Sequence, residues 1–233
     1  AKASKDVVLE SNENVVNEGE LTANNNVSIN AGTSVENSGA MTATTGNASI
    51  VAGTTAENSG TITAGIDATI NAVSDITNSG AMTANGGKVD IISREGSITN
   101  TETADLEAKG GDVTLKSKET LENKGDANAS RRDVVLDSGA NVVNEGKLTA
   151  NNNVSIKAVT SVENSGAMTA TTGNAGVNAG TTAENSGVIT AGKDATINAI
   201  GDIENSGAMT ANGGKVDIIS TEGAITNTET ADL

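Results

Sequence analysis

The chain has 233 residues, lacks Cys, Pro, His, Trp, Tyr and Phe, and carries a formal net charge of -16. Aromatic side chains bury the most area per residue in an ordinary core, so their absence excludes that kind of core and favours a narrow one. The acidic balance argues against nucleic acid and anionic lipid, which both require clustered Lys and Arg. The sequence contains no long apolar run of the kind that would span a membrane. Because it contains no cysteine, no disulfide is expected.

One phrase, VENSGAMTA at 35–43, recurs eleven times with small changes. Each copy is anchored on an asparagine, and successive anchors lie 20 to 23 residues apart. A period of this length is typical of a solenoid. The anchors are Asn17, Asn37, Asn58, Asn78, Asn100, Asn123, Asn144, Asn164, Asn185, Asn205 and Asn227.

A second, longer period of 127 residues contains six of these short repeats. Residues 6–106 realign on 133–233 with 16 substitutions in 101 positions. We interpret 1–233 as a single β-helical segment made of the long repeats 6–132 and 133–233, the second incomplete. We also expect it to be an excerpt of a longer chain or one subunit of a filament.

Each short repeat divides into three strand-like pieces. The first, NVSINA at 26–31, alternates apolar and polar residues as a half-buried strand does. The second, SVEN at 34–37, places an apolar residue two positions before the anchor. The third, AMTA at 40–43, has an inward aliphatic slot that holds all four methionines, which favours core packing over a metal or redox site. Gly, Asn and Asp gather in the following turn.

These pieces predict an all-β fold, a right-handed parallel β-helix (β-solenoid) with three short strands per coil of 20–23 residues and about eleven coils. Equivalent strands stack about 4.8 Å apart, so like residues lie on like and the rod is on the order of 50 Å long. The right hand follows from the strong preference of parallel crossovers.

The asparagine column is the sharpest candidate site. Each side-chain amide can donate to the identical amide of the next coil, which predicts a hydrogen-bonded ladder; a metal or sugar contact is the weaker alternative. Gly follows the anchor by two in nine repeats, where a positive φ is expected. Glu102 and Glu229 replace it, and the longer turn at 100–108 is expected to bulge outward.

No catalytic, cofactor-binding or metal-binding residue is predicted, and we do not expect an enzyme. Polysaccharide-cleaving β-helices require convergent charged groups and aromatics, whereas here carboxylates form outward columns. Glu36 and Glu57 are expected to stack, as are Glu163, Glu184 and Glu204. Such like-charge pairs destabilise modestly, with water and salt screening them.

Two segments in particular resemble the filamentous haemagglutinin-type repeats of two-partner-secretion exoproteins. They are AGTSVENSGAMTATTGNASI at 31–50 and NAGTTAENSGVITAGKDATINA at 178–199, and both match the family's Asn-x-Gly-x-aliphatic-x-Ala pattern. The resemblance extends over essentially the whole chain and departs at Asn100 and Asn227. It implies the β-helical shaft of a large adhesin or contact-dependent growth-inhibition exoprotein, outside the cell or on the outer-membrane surface of a Gram-negative-type bacterium.

Two functions remain open at this point. The chain is either a passive shaft that projects a distal adhesive or toxic tip, or part of a self-associating extracellular filament or matrix fibre. The partners considered are further copies, end to end or laterally, and host-cell or bacterial receptors reached through regions outside this segment. Nucleic acid and membrane insertion are not expected. The candidates for lateral contact are the outward apolar residues Val8, Val16, Ile92, Val135, Val143 and Ile219.

Overall fold

The computed structural model describes residues 1–228 and 231–233, and its regular elements are all β-strands. The strands form three parallel sheets of 11 strands each. Successive strands along the chain enter the three sheets in turn, so every full coil contributes one strand to each sheet. The predicted all-β solenoid, with three strands per coil and about eleven coils, is thereby confirmed.

Sheet I contains the first strand of each coil, usually with three inward side chains in five residues. Its strands are Val7–Ser11, Val27–Ala31, Ala48–Ala52, Ala68–Ala72, Val89–Ser93, Val113–Ser117, Val134–Ser138, Val154–Ala158, Ala175–Ala179, Ala195–Ala199 and Val216–Ser220.

Sheet II contains the second strands, which have three residues each and end on the anchor asparagines. Its strands are Val15–Asn17, Val35–Asn37, Ala56–Asn58, Ile76–Asn78, Ile98–Asn100, Leu121–Asn123, Val142–Asn144, Val162–Asn164, Ala183–Asn185, Ile203–Asn205 and Ile225–Asn227.

Sheet III contains the third strands, each of which ends on alanine. Its strands are Lys2–Ala3, Glu20–Ala23, Ala40–Ala43, Thr61–Ala64, Ala81–Ala84, Asp105–Ala108, Asp126–Ala129, Lys147–Ala150, Ala167–Ala170, Val188–Ala191 and Ala208–Ala211.

The register places like residues on like along the whole rod. In sheet I, Ile29 pairs with Ile50, and Ile50 pairs with Ile70. In sheet III, Met41 pairs with Ile62, which pairs with Met82. These inward residues are fully buried. The core is therefore a stack of thin aliphatic layers, which explains how the fold closes without a single aromatic side chain.

The corner glycines correct one expectation from the sequence. No glycine among the described residues has a positive φ, so conformational freedom does not explain the Gly column. A Cβ placed on Gly60 would instead collide with the carbonyl oxygen of Gly39, one coil earlier, and a Cβ on Gly80 would meet that of Gly60 in the same way. Close approach of neighbouring coils therefore selects glycine here.

The longer turn after Asn100 contains a local hydrogen bond. The Ala104 N–H donates to the Thr101 carbonyl at 3.0 Å, which closes a turn whose Glu102 and Thr103 side chains are exposed. Ala104 itself is buried under the coil that follows. The two extra residues are thus carried on the surface, and the next sheet III strand resumes its normal register. In the copy of this turn, Glu229 lies outside the described residues.

Candidate functional site: the polar corner columns

The anchor asparagines form an unbroken chain of side-chain hydrogen bonds along the rod. Each Nδ2 donates to the Oδ1 of the anchor one coil later, with N···O distances of 2.7–2.9 Å. All eleven anchors take part, including Asn100 and Asn227, where the surrounding sequence departs from the repeat pattern. Nine of the eleven are almost completely shielded from water, and the exceptions, Asn17 and Asn227, lie in the terminal coils.

The second hydrogen of the anchor amide is used within its own corner. Asn78 Nδ2 donates to the Gly80 carbonyl at 3.2 Å, and Asn123 does the same to Gly125 at 3.1 Å. The backbone carbonyl of Asn58 accepts the N–H groups of both Ser79 and Gly80. Side chain and backbone therefore saturate one another, and no buried side-chain nitrogen or oxygen in the described residues lacks a partner.

Such a saturated column has a structural consequence. A shift of register by one residue anywhere along sheet II would leave side-chain amides in two coils without hydrogen-bond partners. Each such buried amide costs about 1–3 kcal/mol of stability. Every buried side-chain nitrogen and oxygen of the column in the described residues has at least one partner within the chain. The column therefore opposes a shift of register between neighbouring coils.

A second polar column, which the sequence pattern alone did not single out, precedes sheet I. The Oδ1 of Asp6 accepts the backbone N–H of Asn26 at 3.0 Å, and that of Asn26 accepts the N–H of Asn47 at 2.9 Å. The same arrangement links Asn153 to Asn174. The sequence did contain a sign of this column, since an Asp, Asn or Lys precedes every sheet I strand. The preference of turns for such polar residues explained that pattern equally well.

A third corner, before sheet II, repeats the device less regularly. Asp75 Oδ1 accepts the Ser97 N–H at 2.8 Å, and Asp202 Oδ1 accepts the Ala224 N–H at 2.8 Å. All three corners of the solenoid thus carry side-chain hydrogen bonds between coils. Together they supplement the backbone ladders at the points where the strands end.

The outward carboxylates stack as columns on sheet II. Glu36 pairs with Glu57, while Glu184 lies between Glu163 and Glu204. The second column borders an acidic surface hollow of about 250 Å³. No group of three or more carboxylates in the described part of the chain is arranged to hold a metal ion.

One lysine and one carboxylate break the simple alternation of sheet I. Asp90 is nearly buried although its neighbours Val89 and Ile91 also face inward, and Lys88 covers it with an ion pair of 2.5 Å. The hydrogen bond and the charge of Asp90 raise the pKa of Lys88. The copies Lys215 and Asp217 form the same 2.5 Å pair, which raises the pKa of Lys215. These pairs are local and do not converge on a cleft.

The described residues contain no helix that is long and apolar enough to cross a membrane.

Fold and corner columns together define a β-solenoid repeat protein whose polar groups serve coil-to-coil stacking. The haemagglutinin repeat family model matches residues 1–45 and 170–229. Residues 170–229 are the copy, 127 residues on, of residues 43–102. The matched segments are therefore haemagglutinin repeats, and the β-solenoid of the whole chain is consistent with filamentous haemagglutinin-type repeats. Comparison with curated proteins and with solved structures found no match.

Proposed function

We propose that this chain is a segment of the structural shaft of a bacterial surface adhesin or exoprotein and holds a distal adhesive or toxic tip away from the cell. Haemagglutinin repeats typically belong to secreted or surface exoproteins. We place this one outside a Gram-negative-type bacterium. The observation that carries the proposal is the unbroken Asn column, because a spacer must keep its register over its whole length.

The division between inward and outward positions supports a passive role. Inward side chains are committed to packing or to the corner columns, so outward positions are freer to change in size and charge. Between the two long repeats, outward or turn positions change charge freely, as in Glu20 to Lys147 and Thr77 to Glu204. A binding surface used in every repeat would keep its charge from copy to copy.

No catalytic role is part of the proposal. A structural fold and a structural repeat family favour a non-enzymatic protein. The buried polar side chains of the described residues all have hydrogen-bond partners within the chain, and the outward carboxylates are spread along the rod.

A length series tests the shaft proposal. Adding one 127-residue repeat inserts six coils, so the rod should lengthen by about 29 Å, measured by small-angle scattering. The labelled chain should also show no saturable binding to bacterial or animal cells. Saturable binding by the segment itself, or a longer chain that thickens rather than lengthens, would contradict the proposal.

A self-associating filament is the second candidate, and exposed aliphatic side chains favour it. Of the six candidates, Val8 and Val16 are each 55% exposed and Ile219 is 51% exposed. The other three are half-buried: Ile92, Val135 and Val143. Isolated apolar residues are common on surfaces, so this observation alone has little weight. Sedimentation distinguishes the two: the shaft predicts a monomer at high concentration. Association abolished by Ile92→Thr together with Ile219→Thr would establish the filament instead.

A further inference from the structure

The dipeptide Asn85-Gly86 lies in an exposed turn between sheets III and I. The Asn85 side chain is held from both sides along the rod. Its Nδ2 donates to the Ala64 carbonyl of the preceding coil at 3.2 Å, and its Oδ1 accepts from the Lys109 ammonium of the following coil at 3.1 Å. Glu107 shares that ammonium at 3.5 Å, which keeps Lys109 beside the turn. Neither the fold nor the shaft function requires this arrangement.

We propose that Asn85 is a site of spontaneous deamidation and that Lys109 promotes the reaction. The backbone nitrogen of Gly86 attacks Cγ of Asn85 and gives its proton to water, which closes a five-membered succinimide. The Cγ–Nδ2 bond breaks, and ammonia leaves with a proton taken from water. A water molecule then opens the ring to aspartate or isoaspartate. The net change consumes one water, releases one ammonia and involves no oxidant or reductant.

The attacking nitrogen is accessible at this turn. Gly86 has no side chain to hinder the approach, and within the described residues its N–H makes no hydrogen bond. Nucleophile and amide are joined through only a few bonds, so their effective concentration is high. The corresponding nitrogens after ten of the eleven anchor asparagines are committed, since Ser38 N–H, for example, donates to the Asn17 carbonyl at 2.9 Å. The anchor column is thereby protected from the same reaction.

Lys109 is placed to assist the first step. Negative charge develops on Oδ1 as the tetrahedral intermediate forms, and Lys109 already donates to that atom. Its positive charge also favours loss of the Gly86 amide proton. After reaction, the new carboxylate faces the Lys109 ammonium, whereas the amide donor to Ala64 is lost.

The chain contains its own reference for the reaction rate. The decapeptide AMTANGGKVD occurs at 81–90 and again, unchanged, at 208–217. The second copy places Asn212 in an exposed turn, with its backbone N–H donating to the Ala191 carbonyl at 2.9 Å. No lysine donates to the Asn212 side chain within the described residues. The local sequences of the two sites are therefore matched, whereas the side-chain hydrogen bonds of Asn85 to Ala64 and from Lys109 have no counterpart at Asn212 in the described part of the chain.

The test follows both sites by peptide mass spectrometry while the purified 233-residue chain is incubated at neutral pH. Lys109→Met should slow deamidation at Asn85 about two- to fivefold relative to Asn212, the size of effect expected of an exposed charge. Lys109→Arg keeps a charged donor and should retain most of the rate. In denaturant, the ratio of the two rates should approach one, because the local sequences are identical.

Two results would overturn the proposal. An unchanged ratio of the Asn85 and Asn212 rates in Lys109→Met, with the fold intact by circular dichroism, would show that the lysine does not participate. Loss of ammonia together with a stable covalent cross-link between Lys109 and Asn85 would show that the lysine nitrogen, rather than that of Gly86, is the nucleophile.

Discussion

Asn164 illustrates what the repeat requires of a single residue. It accepts a hydrogen bond from Asn144 and donates one to Asn185, both at 2.7 Å, within a fully buried corner. Glu163, one position earlier, points into water. The same three-residue strand thus contains one position whose residue type is fixed by hydrogen bonds to the neighbouring coils and one exposed position that tolerates other residue types.

Substitution at these two positions should have very different consequences. Asn164→Leu leaves a donor on Asn144 and an acceptor on Asn185 without partners, each costing about 1–3 kcal/mol of unfolding free energy. Glu163→Gln should change stability by less than about 0.5 kcal/mol, as surface substitutions usually do. Urea denaturation of both variants measures the difference, and equal midpoints would mean that the column contributes little to stability.

Glycine at the corner supplies a second residue-scale prediction. Gly60→Ala forces a Cβ against the Gly39 carbonyl and should destabilise by about 1–3 kcal/mol, the usual range for overpacking. Gly19 has the same sequence role, but a Cβ there would meet nothing within 4 Å. Gly19→Ala is therefore the matched control and should be close to neutral. If both substitutions cost the same, backbone conformation rather than coil contact would be the reason for glycine.

At the scale of the element, the outward faces of sheet II differ between the two long repeats. Glu57 has one acidic neighbour, Glu36, and pairs on its other side with Thr77. Glu184 is flanked on both sides, by Glu163 and Glu204. Like charges directly opposite each other on neighbouring strands are unfavourable. The Thr77 to Glu204 change therefore adds repulsion to one copy of an otherwise equivalent column.

Neutralising the central carboxylate should relieve that repulsion. Glu184→Gln should stabilise the chain by a few tenths of a kcal/mol at low ionic strength, and Glu57→Gln by less, because it has one like neighbour instead of two. Both gains should vanish in about 1 M salt, where the screening length falls to about 3 Å. The measurement is the unfolding midpoint across a salt series. A gain that survives high salt would point to a cause other than charge.

Across the whole molecule, the periodic sequence was enough to predict the solenoid, the strand positions and the inward slots. The alternation of apolar and polar residues and the spacing of the repeats encode these features directly. Ile29 and Met41, for example, occupy the inward positions that the pattern predicts. The reason for Gly60 and the hydrogen bonds of Asp6 and Asn26 could not be obtained in the same way. They depend on how closely one coil approaches the next, which local pattern does not specify. The right hand of the coil stays a prediction.

The most direct test of the stacked solenoid is a distance across one long repeat. Ser28 and Ser155 occupy equivalent outward positions, six coils apart, and the chain has no native cysteine to interfere with labelling. Spin labels on Ser28→Cys and Ser155→Cys should give one narrow distance distribution near 29 Å, from six steps of about 4.8 Å. A broad distribution, or one centred far beyond that value, would contradict a continuous rod with one coil for each short repeat.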